Sequence, residues 1–278
     1  MNFKDIYSKR NLWTHKGEHG YVLVVSGSKR YSGSPVFNIV SALRAGADLV
    51  CCVGPERAMN IAASFLPDII AHPLKGDFLR TKDVSFILRM AETFDSLIIG
   101  CGLGKSPETL KAIQEIIKKQ SSSGKPLVID ADGIRALAEK KEILKGNSVV
   151  ITPHIKEFES LTGEKVKPEV KDRKEKVKKW AKKLNCTILL KGHIDVISDG
   201  ERVALNETGS PYMTVGGFGD TLSGITGAIL ARKVDPFRAA KAASFINGRA
   251  GEMACEKYGE GVLASDIFEF IPQVIKEF

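Results

Sequence analysis

The chain has 278 residues, 43% of them hydrophobic and 27% charged, which is enough apolar material for one sizeable core and too much for a disordered chain. A core of that size needs no disulfide or metal staple, and the cysteines at 51, 52, 101, 186 and 255 form no Cys-x-x-Cys pair, so a zinc knuckle and a full disulfide set are both disfavoured. The net charge of +8 suits phosphorylated, anionic ligands.

A reducing compartment fits this cysteine usage. The start, Met1 to Tyr7, lacks the apolar stretch of a secretion signal, and no run approaches the roughly 20 apolar residues needed to span a bilayer, so a cytoplasmic location with no membrane contact is expected.

Along the chain, short β-branched runs alternate with longer helical stretches, the pattern of crossover units and a mostly parallel sheet. Strands are expected over 21–25, 49–53, 97–100, 127–130, 149–152 and 187–190, and helices over 35–45, 55–63, 81–94, 107–120, 133–139 and 170–184. The short strands 195–198 and 202–205, turning at Asp199-Gly200, read as a hairpin at the sheet edge. From there the pattern is helical, over 220–232, 236–258 and 264–278. No repeat, low-complexity tract or linker divides the sequence, so one α/β domain over 1–278 is expected. Between Glu164 and Lys183, nine lysines and one arginine face four acids. Val170, Val177, Trp180, Ala181 and Leu184 recur there at helical spacing, so the lysines read as the wet face of an amphipathic helix rather than a nucleic-acid patch.

Ligands of such sheets bind beyond the carboxyl ends of the strands, so the loops there carry the functional reading. Two glycine-bearing loops, Ser26 to Ser34 and Gly100 to Gly104, are not G-x-G-x-x-G fingerprints with a distal acid, and no Walker A loop is present. Hydride transfer on a dinucleotide fold and P-loop chemistry are therefore disfavoured. Asp130 and Asp132 stand at a binding edge, with capping of the next helix as the alternative. Thr152-Pro153-His154 leads to Glu157, whose carboxylate could direct a hydrated Mg²⁺; the other histidines show no zinc spacing with His154. Lys191 leaves a buried strand where its ammonium can meet phosphate oxygens, or merely snorkel. Gly216-Gly217-Phe218-Gly219-Asp220 opens an apolar helix, so its N–H groups and the helix dipole suit an anion. A carboxylate is out of place beside an anion unless Asp220 is a base or metal-linked group; the plainer alternative is a helix cap. Thr226-Gly227 reads as close helix packing.

Taken in order, His15-Lys16-Gly17 to Gly20, Gly27-Ser28 with Tyr31 and Gly33, residues 42–47, Gly100 to Gly104, Asp130-Ala131-Asp132, Thr152-Pro153-His154 with Glu157, Lys191-Gly192, Asn206 with Thr208-Gly209, and Gly216 to Asp220 resemble the NAD(P)H-hydrate dehydratases. The resemblance implies a three-layer ribokinase-like α/β fold, in a stand-alone chain without the epimerase domain that some members carry. It also implies repair of NADHX and NADPHX: ADP, or ATP in eukaryotic members, phosphorylates the C6 hydroxyl, and elimination of phosphate restores NAD(P)H. On this model Asp220 is the base, and the N–H groups of Gly217, Phe218 and Gly219 steady the migrating phosphoryl group. Ser34, Gly102, His154 and Asp220 would contact the hydrate. Lys191, Gly192, His193, Ile194, Asp195 and Gly219 would hold the adenine nucleotide, with Mg²⁺ between phosphates. A homo-oligomer, such as a tetramer, is implied too. Ser34, Ser210, Tyr212, Thr214 and Phe218 depart from the family's usual alanine, asparagine, glycine, alanine and threonine, which bears on pocket shape and nucleotide choice. A ribokinase-like kinase for a hydroxymethyl vitamin precursor shares the glycine turn and Asp220, and a non-catalytic nucleotide-binding module is a further alternative.

Overall fold

The computed structural model describes residues 3–278; Met1 and Asn2, part of the start read as leader-free, lie outside the described residues. Seven strands are parallel: β1 (Tyr21–Val25), β2 (Leu49–Pro55), β3 (Ile70–Leu74), β4 (Ser96–Ile99), β5 (Leu127–Ile129), β6 (Val149–Ile151) and β7 (Thr187–Leu190). β8 (Asp195–Ser198) and β9 (Val203–Asn206) extend the sheet as an antiparallel hairpin at one edge. The order across the sheet is β3-β2-β1-β4-β5-β6-β7-β8-β9.

Alternate residues of each strand serve opposite cores. Val22, Val24, Ile98, Val128 and Val150 face one side, where α1 (Ser34–Arg44), α2 (Glu56–Ala63), α8 (Phe218–Ala231), α9 (Pro236–Tyr258) and α10 (Ile271–Lys276) pack. Leu23, Val25, Leu97, Ile99 and Ile129 face the other, beneath α3 (Val84–Ala91), α4 (Pro107–Ser122), α5 (Asp132–Glu139), α6 (Ile155–Thr162) and α7 (Val170–Leu184). Both faces of the sheet are thus dry, which is why its parallel strands read as unbroken apolar runs. In α7 the residues Val177, Trp180, Ala181 and Leu184 are buried and the lysines lie outward. Among the described residues, no helix is long and apolar enough to cross a membrane.

The chain winds from β1 to β2 and β3, then returns to β4 on the other side of β1. The loops after β1 and β4 therefore diverge, leaving a crevice at the carboxyl edge. α8 starts at this edge and packs on the sheet face, pressed against α1. A Cβ on Gly224 would collide with Ser41 Oγ and the Asn38 carbonyl oxygen, and one on Gly227 with Ile98 Cδ1. Gly227 is thus a packing residue, as its sequence setting suggests.

Two elements were not expected from the sequence, and two expected helices differ at their starts. β3 contains Pro73 and is largely exposed, a composition tolerated only at a sheet edge. α6 fits in eight residues, fixed by a reciprocal cap between His154 and Glu157 at its start and left-handed Gly163 at its end. The expected helices over 81–94 and 264–278 each begin as a 3-10 turn, at Thr81–Asp83 and Ala264–Glu269. Because the Asn38 backbone cannot yield to a new methyl group, Gly224→Ala should lower unfolding stability by ~1–3 kcal/mol. A urea midpoint equal to that of the parent would show that α1 and α8 have room to separate.

Candidate active site

Asp130 follows β5 directly and is 2% exposed. A buried carboxylate needs partners for all its lone pairs, and here each oxygen has two. Oδ1 accepts from Lys191 Nζ at 3.0 Å and Thr152 Oγ1 at 2.8 Å; Oδ2 accepts from Ser223 Oγ at 3.0 Å and the Cys101 thiol at 3.6 Å. Those donors come from the ends of β7 and β6, from α8 and from the loop after β4, so one side chain ties four elements together. Burial opposes the charged form of Lys191, yet the carboxylates of Asp130 and Glu157 outweigh it and raise its pKa. Lys191 stays an ammonium with its side chain 22% exposed to the crevice.

The turn after Lys191 is held from beneath. Arg173 of α7, itself buried, donates to the carbonyls of Leu190 and Lys191, both at 3.4 Å. Gly192 lies so close to this guanidinium that a Cβ would come within 3.0 Å of Nη1. Asp195 accepts from Gly192 N–H at 2.9 Å and Ser244 Oγ at 2.7 Å. Its side chain closes the turn from within, whereas His193 is exposed and Ile194 half-buried.

The glycine turn meets this cation. Gly217 has φ +115°, a left-handed conformation that suits glycine, and a Cβ there would crowd Ala264 and Phe37. Phe218 places its ring in the core and contributes only backbone to the surface. Its carbonyl is pinned by Asn247 Nδ2 at 3.3 Å, while Asn247 Oδ1 accepts from Thr221 at 2.8 Å. At a helix start the first N–H groups have no helical acceptor, and the dipole adds positive character. A Cβ on Gly219 would stand 3.3 Å from Lys191 Nζ, so turn and ammonium share one concavity.

Asp220 occupies the first turn of α8, its carbonyl accepting from Asn38 Nδ2 at 2.8 Å. Ser34 hydrogen-bonds its carboxylate and the Cys101 sulfur lies beside it, but burial and the neighbouring Asp130 prevail, raising its pKa to about 6. Gly102, with φ +65°, brings the loop after β4 onto Ser34: a Cβ there would lie 2.8 Å from Ser34 Oγ. Ser34 and Gly102 also line a cavity of about 600 Å³. His154 and Glu157 cap α6 reciprocally, Glu157 N–H donating to His154 Nδ1 at 3.2 Å and His154 N–H to Glu157 Oε2 at 2.9 Å. Burial, with Asp130, raises the Glu157 pKa against the pull of Lys191.

The residues singled out from sequence thus fall into two groups. Ser34, Gly102, Gly219, Asp220 and Lys191 converge, and Glu157 lies within electrostatic reach of Lys191. Asp195 turns into its own loop, and His154 engages Glu157. The hub itself, with Thr152, Ser223, Cys101 and Asn38, is assembled over long sequence distances. Ser223, three residues beyond Asp220 on the same helix, is the partner that spacing could have indicated. Asp132 does not cap α5; its carboxylate accepts from Gly104 N–H at 2.8 Å.

Cys101, Asp130 and Asp220 bring ligand atoms within 4.8 Å of one another. They do not suit magnesium, which takes oxygen ligands: burial pushes the Cys101 thiol well above its usual pKa, and both Asp130 oxygens are engaged. Glu157, a partly exposed carboxylate facing the same crevice, does suit a hydrated ion.

The sheet wound outward from β1 has a ribokinase-like fold, with a glycine turn, a carboxylate and a half-buried ammonium at its carboxyl edge. The family model for NAD(P)H-hydrate dehydratase matches residues 22–273, and the chain belongs to that family. It is 44% identical over 269 residues to the bifunctional NAD(P)H-hydrate repair enzyme Nnr of Pyrobaculum aerophilum, covering 97% of this chain and 53% of the relative. The chain thus spans about half the length of such bifunctional relatives. It is 39% identical to the ADP-dependent (S)-NAD(P)H-hydrate dehydratase of Cenarchaeum symbiosum, covering 95% of this chain and 91% of that protein. The ADP/ATP-dependent NAD(P)H-hydrate dehydratase of Bacillus subtilis, co-crystallised with ATP/Mg²⁺, superposes with a TM-score of 0.80 at 28% identity, over 97% of this chain and 93% of that one.

Breaking a buried ion pair on one side strands the other charge. Asp130→Asn should therefore lower stability by ~3–5 kcal/mol in urea unfolding. A loss below about 1 kcal/mol, the range of a surface pair, would show that Asp130 does not anchor the edge.

Proposed function

We propose that the protein is an ADP-dependent dehydratase that returns NADHX and NADPHX to NADH and NADPH, releasing AMP and phosphate. The observation that carries this reading is the placement of Asp220. Its carboxylate stands between the Ser34–Gly102 wall, beside a roomy cavity, and the concavity formed by Lys191 and Gly219. An alcohol approaching from the first side and a nucleotide phosphate from the second would meet at this carboxylate.

Hydroxide is a poor leaving group, so the C6 hydroxyl is first converted to a phosphate ester. Asp220 accepts the hydroxyl proton as the oxygen attacks the β-phosphorus of ADP; the new O–P bond forms and the bond to the AMP oxygen breaks. Phe218 and Gly219 N–H groups, with Gly217, receive the migrating group's charge, and Lys191 neutralises the nucleotide side. The ester is then lost as inorganic phosphate while C5 releases a proton, restoring the C5=C6 bond. Magnesium held through water by Glu157 would supply charge neutralisation between the phosphates when bound. In this proposal Ser34, Gly102 and His154 contact the hydrate, and the turn 191–195 holds the adenine nucleotide through its backbone and Lys191. The names of the relatives support ADP and the S epimer. The same proposal covers a cytoplasmic homo-oligomer, for which the exposed Leu12 and Trp13 offer apolar surface.

A base must be ionised to act. With its pKa at about 6, Asp220 is protonated below that pH, so kcat should fall on an acid limb near pH 6. Asp220→Asn should abolish recovery of reduced nicotinamide absorbance while retaining ADP binding; retained turnover would remove Asp220 as the base. The raised pKa also means that the folded state holds a proton more tightly than the unfolded chain. Stability therefore falls as pH rises from about 4 to 6, and D220N should be more stable at neutral pH by on the order of 2 kcal/mol. A thermal midpoint no higher than the parent's would contradict that sign.

A further inference from the structure

The proposed chemistry gives no part to Cys101, a fully buried thiol between two aspartates. Its sulfur and carboxylate oxygens of Asp130 and Asp220 all lie within 4.8 Å of one another. Backbone contacts hold it there. The Cys101 carbonyl accepts from Ser26 Oγ at 2.8 Å and from the Gly27 N–H at 2.9 Å, which ties the loop after β4 to the loop after β1. Gly100, just before it, has φ +128° and no room for a Cβ against the Asp130 carbonyl oxygen. The sulfur therefore cannot back away from the carboxylates.

The direction of the thiol hydrogen follows from its neighbours. Asn38, also fully buried, donates through Nδ2 to the Asp220 carbonyl oxygen at 2.8 Å and to Cys101 Sγ at 3.4 Å. A carbonyl oxygen can only accept, so this end of the side chain is the NH₂ group, and both of its hydrogens are used. The sulfur is thus the acceptor from Asn38, and its own hydrogen is left for a carboxylate. Asp130 Oδ2, at 3.6 Å, receives it. Asp130 also accepts from Thr152, Lys191 and Ser223, so the thiol is a donor it can spare. The Asp220 carboxylate, which accepts from Ser34, is the other acceptor in reach. Charge reaches Asp220 from Asp130, after β5, and from Lys191, after β7, while Glu157 of α6 bears on both of these. Ser34 and Asn38 of α1 and Asn247 of α9 are uncharged.

We infer that Cys101 is a positioning residue for the proposed proton transfer: its hydrogen turns about the Cβ–Sγ bond from Asp130 to Asp220 when Asp220 is ionised, and back once Asp220 has taken the alcohol's proton. No S–H bond breaks in this rotation, and burial keeps the thiol protonated throughout. The inference rests on the reading of Asp220 as the base. Two carboxylates side by side disfavour each other's charge, and a donor that follows the charge offsets that repulsion.

Cys101→Ala and Cys101→Ser test this in the full chain. Alanine removes the hydrogen, whereas serine keeps one. With alanine, the acid limb of kcat and the carbon-13 titration midpoint of the Asp220 carboxyl should both rise by about one pH unit, a tenfold change in the ionisation constant. With serine, both should stay at or below the parent's values. If the thiol only fills space, both variants lose stability and neither midpoint moves, so an unshifted midpoint in Cys101→Ala would overturn the inference, as would an equal rise in Cys101→Ser. The parent offers a check that needs no folded alanine variant. Its Cys101 S–H stretching band, assigned by its loss in Cys101→Ser, should shift as Asp220 titrates, and a band that stays still across that titration would equally overturn the inference. Neither the carboxyl titration nor the band requires turnover. An enzyme inactive on hydrates would therefore count against the proposed function while these two measurements still decide the role of the thiol.

Discussion

The buried contact between Asp130 and Lys191 sets the geometry of the whole carboxyl edge. Parallel strands deliver their ends to one line, but nothing in the sheet's hydrogen bonding fixes how the following loops stand above it. Asp130 does so by drawing donors from β4's loop, β6, β7 and α8 onto one carboxylate. Lys191 is thereby kept charged and aimed at the glycine turn. The same negative charge, with burial, holds the Asp220 pKa up at about 6. One side chain thus serves both the cation proposed to meet phosphate and the carboxylate proposed to accept a proton, and the two roles pull its neighbours in opposite electrostatic directions.

Division of labour around Asp220 follows from the winding of the sheet. Loops on the two sides of the switch between β1 and β4 diverge, giving the wide cavity bounded by Ser34 and Gly102. The successive loops after β5, β6 and β7 instead crowd together beneath α8. One side can admit a bulky substrate, and the other offers backbone N–H groups and an ammonium in a tight concavity. Phe218 fits this scheme despite departing from the threonine usual in the family. Its ring is buried in the core, so the turn retains its backbone donors. Arg173 plays a supporting part from below, gathering the carbonyls at the end of β7 and closing against Gly192.

Much of this was legible in the sequence because both faces of the sheet are dry. Apolar runs place β1, β5, β6 and β7 to within a residue, and the long helix α9 is found end to end. β3 escapes because an edge strand carrying His72 and Pro73 has no such run. α6 escapes although it is no shorter than α2 and α5, because the residues that cap it, His154 and Glu157, read as binding residues. In the site, Ser34, Gly102, Lys191 and Asp220 could be named from motif order. Asp130 could be named only as a strand-end acid with a capping role as its rival. Its partners Lys191 and Ser223 lie 61 and 93 positions away, a relation that local spacing cannot express. Asp195 shows the converse: the family resemblance implied ligand contact there, and its carboxylate is also engaged within the turn itself.

The central claim is that burial and Asp130 together set the protonation of Asp220. The most direct check is a carbon-13 NMR titration of the Asp220 carboxyl in the parent protein, assigned by comparison with D220N. The account predicts a titration midpoint near 6. A midpoint at the ordinary aspartate value of about 3.9 would contradict it, leaving Asp220 an unperturbed carboxylate and Asp130 without influence on the proposed chemistry.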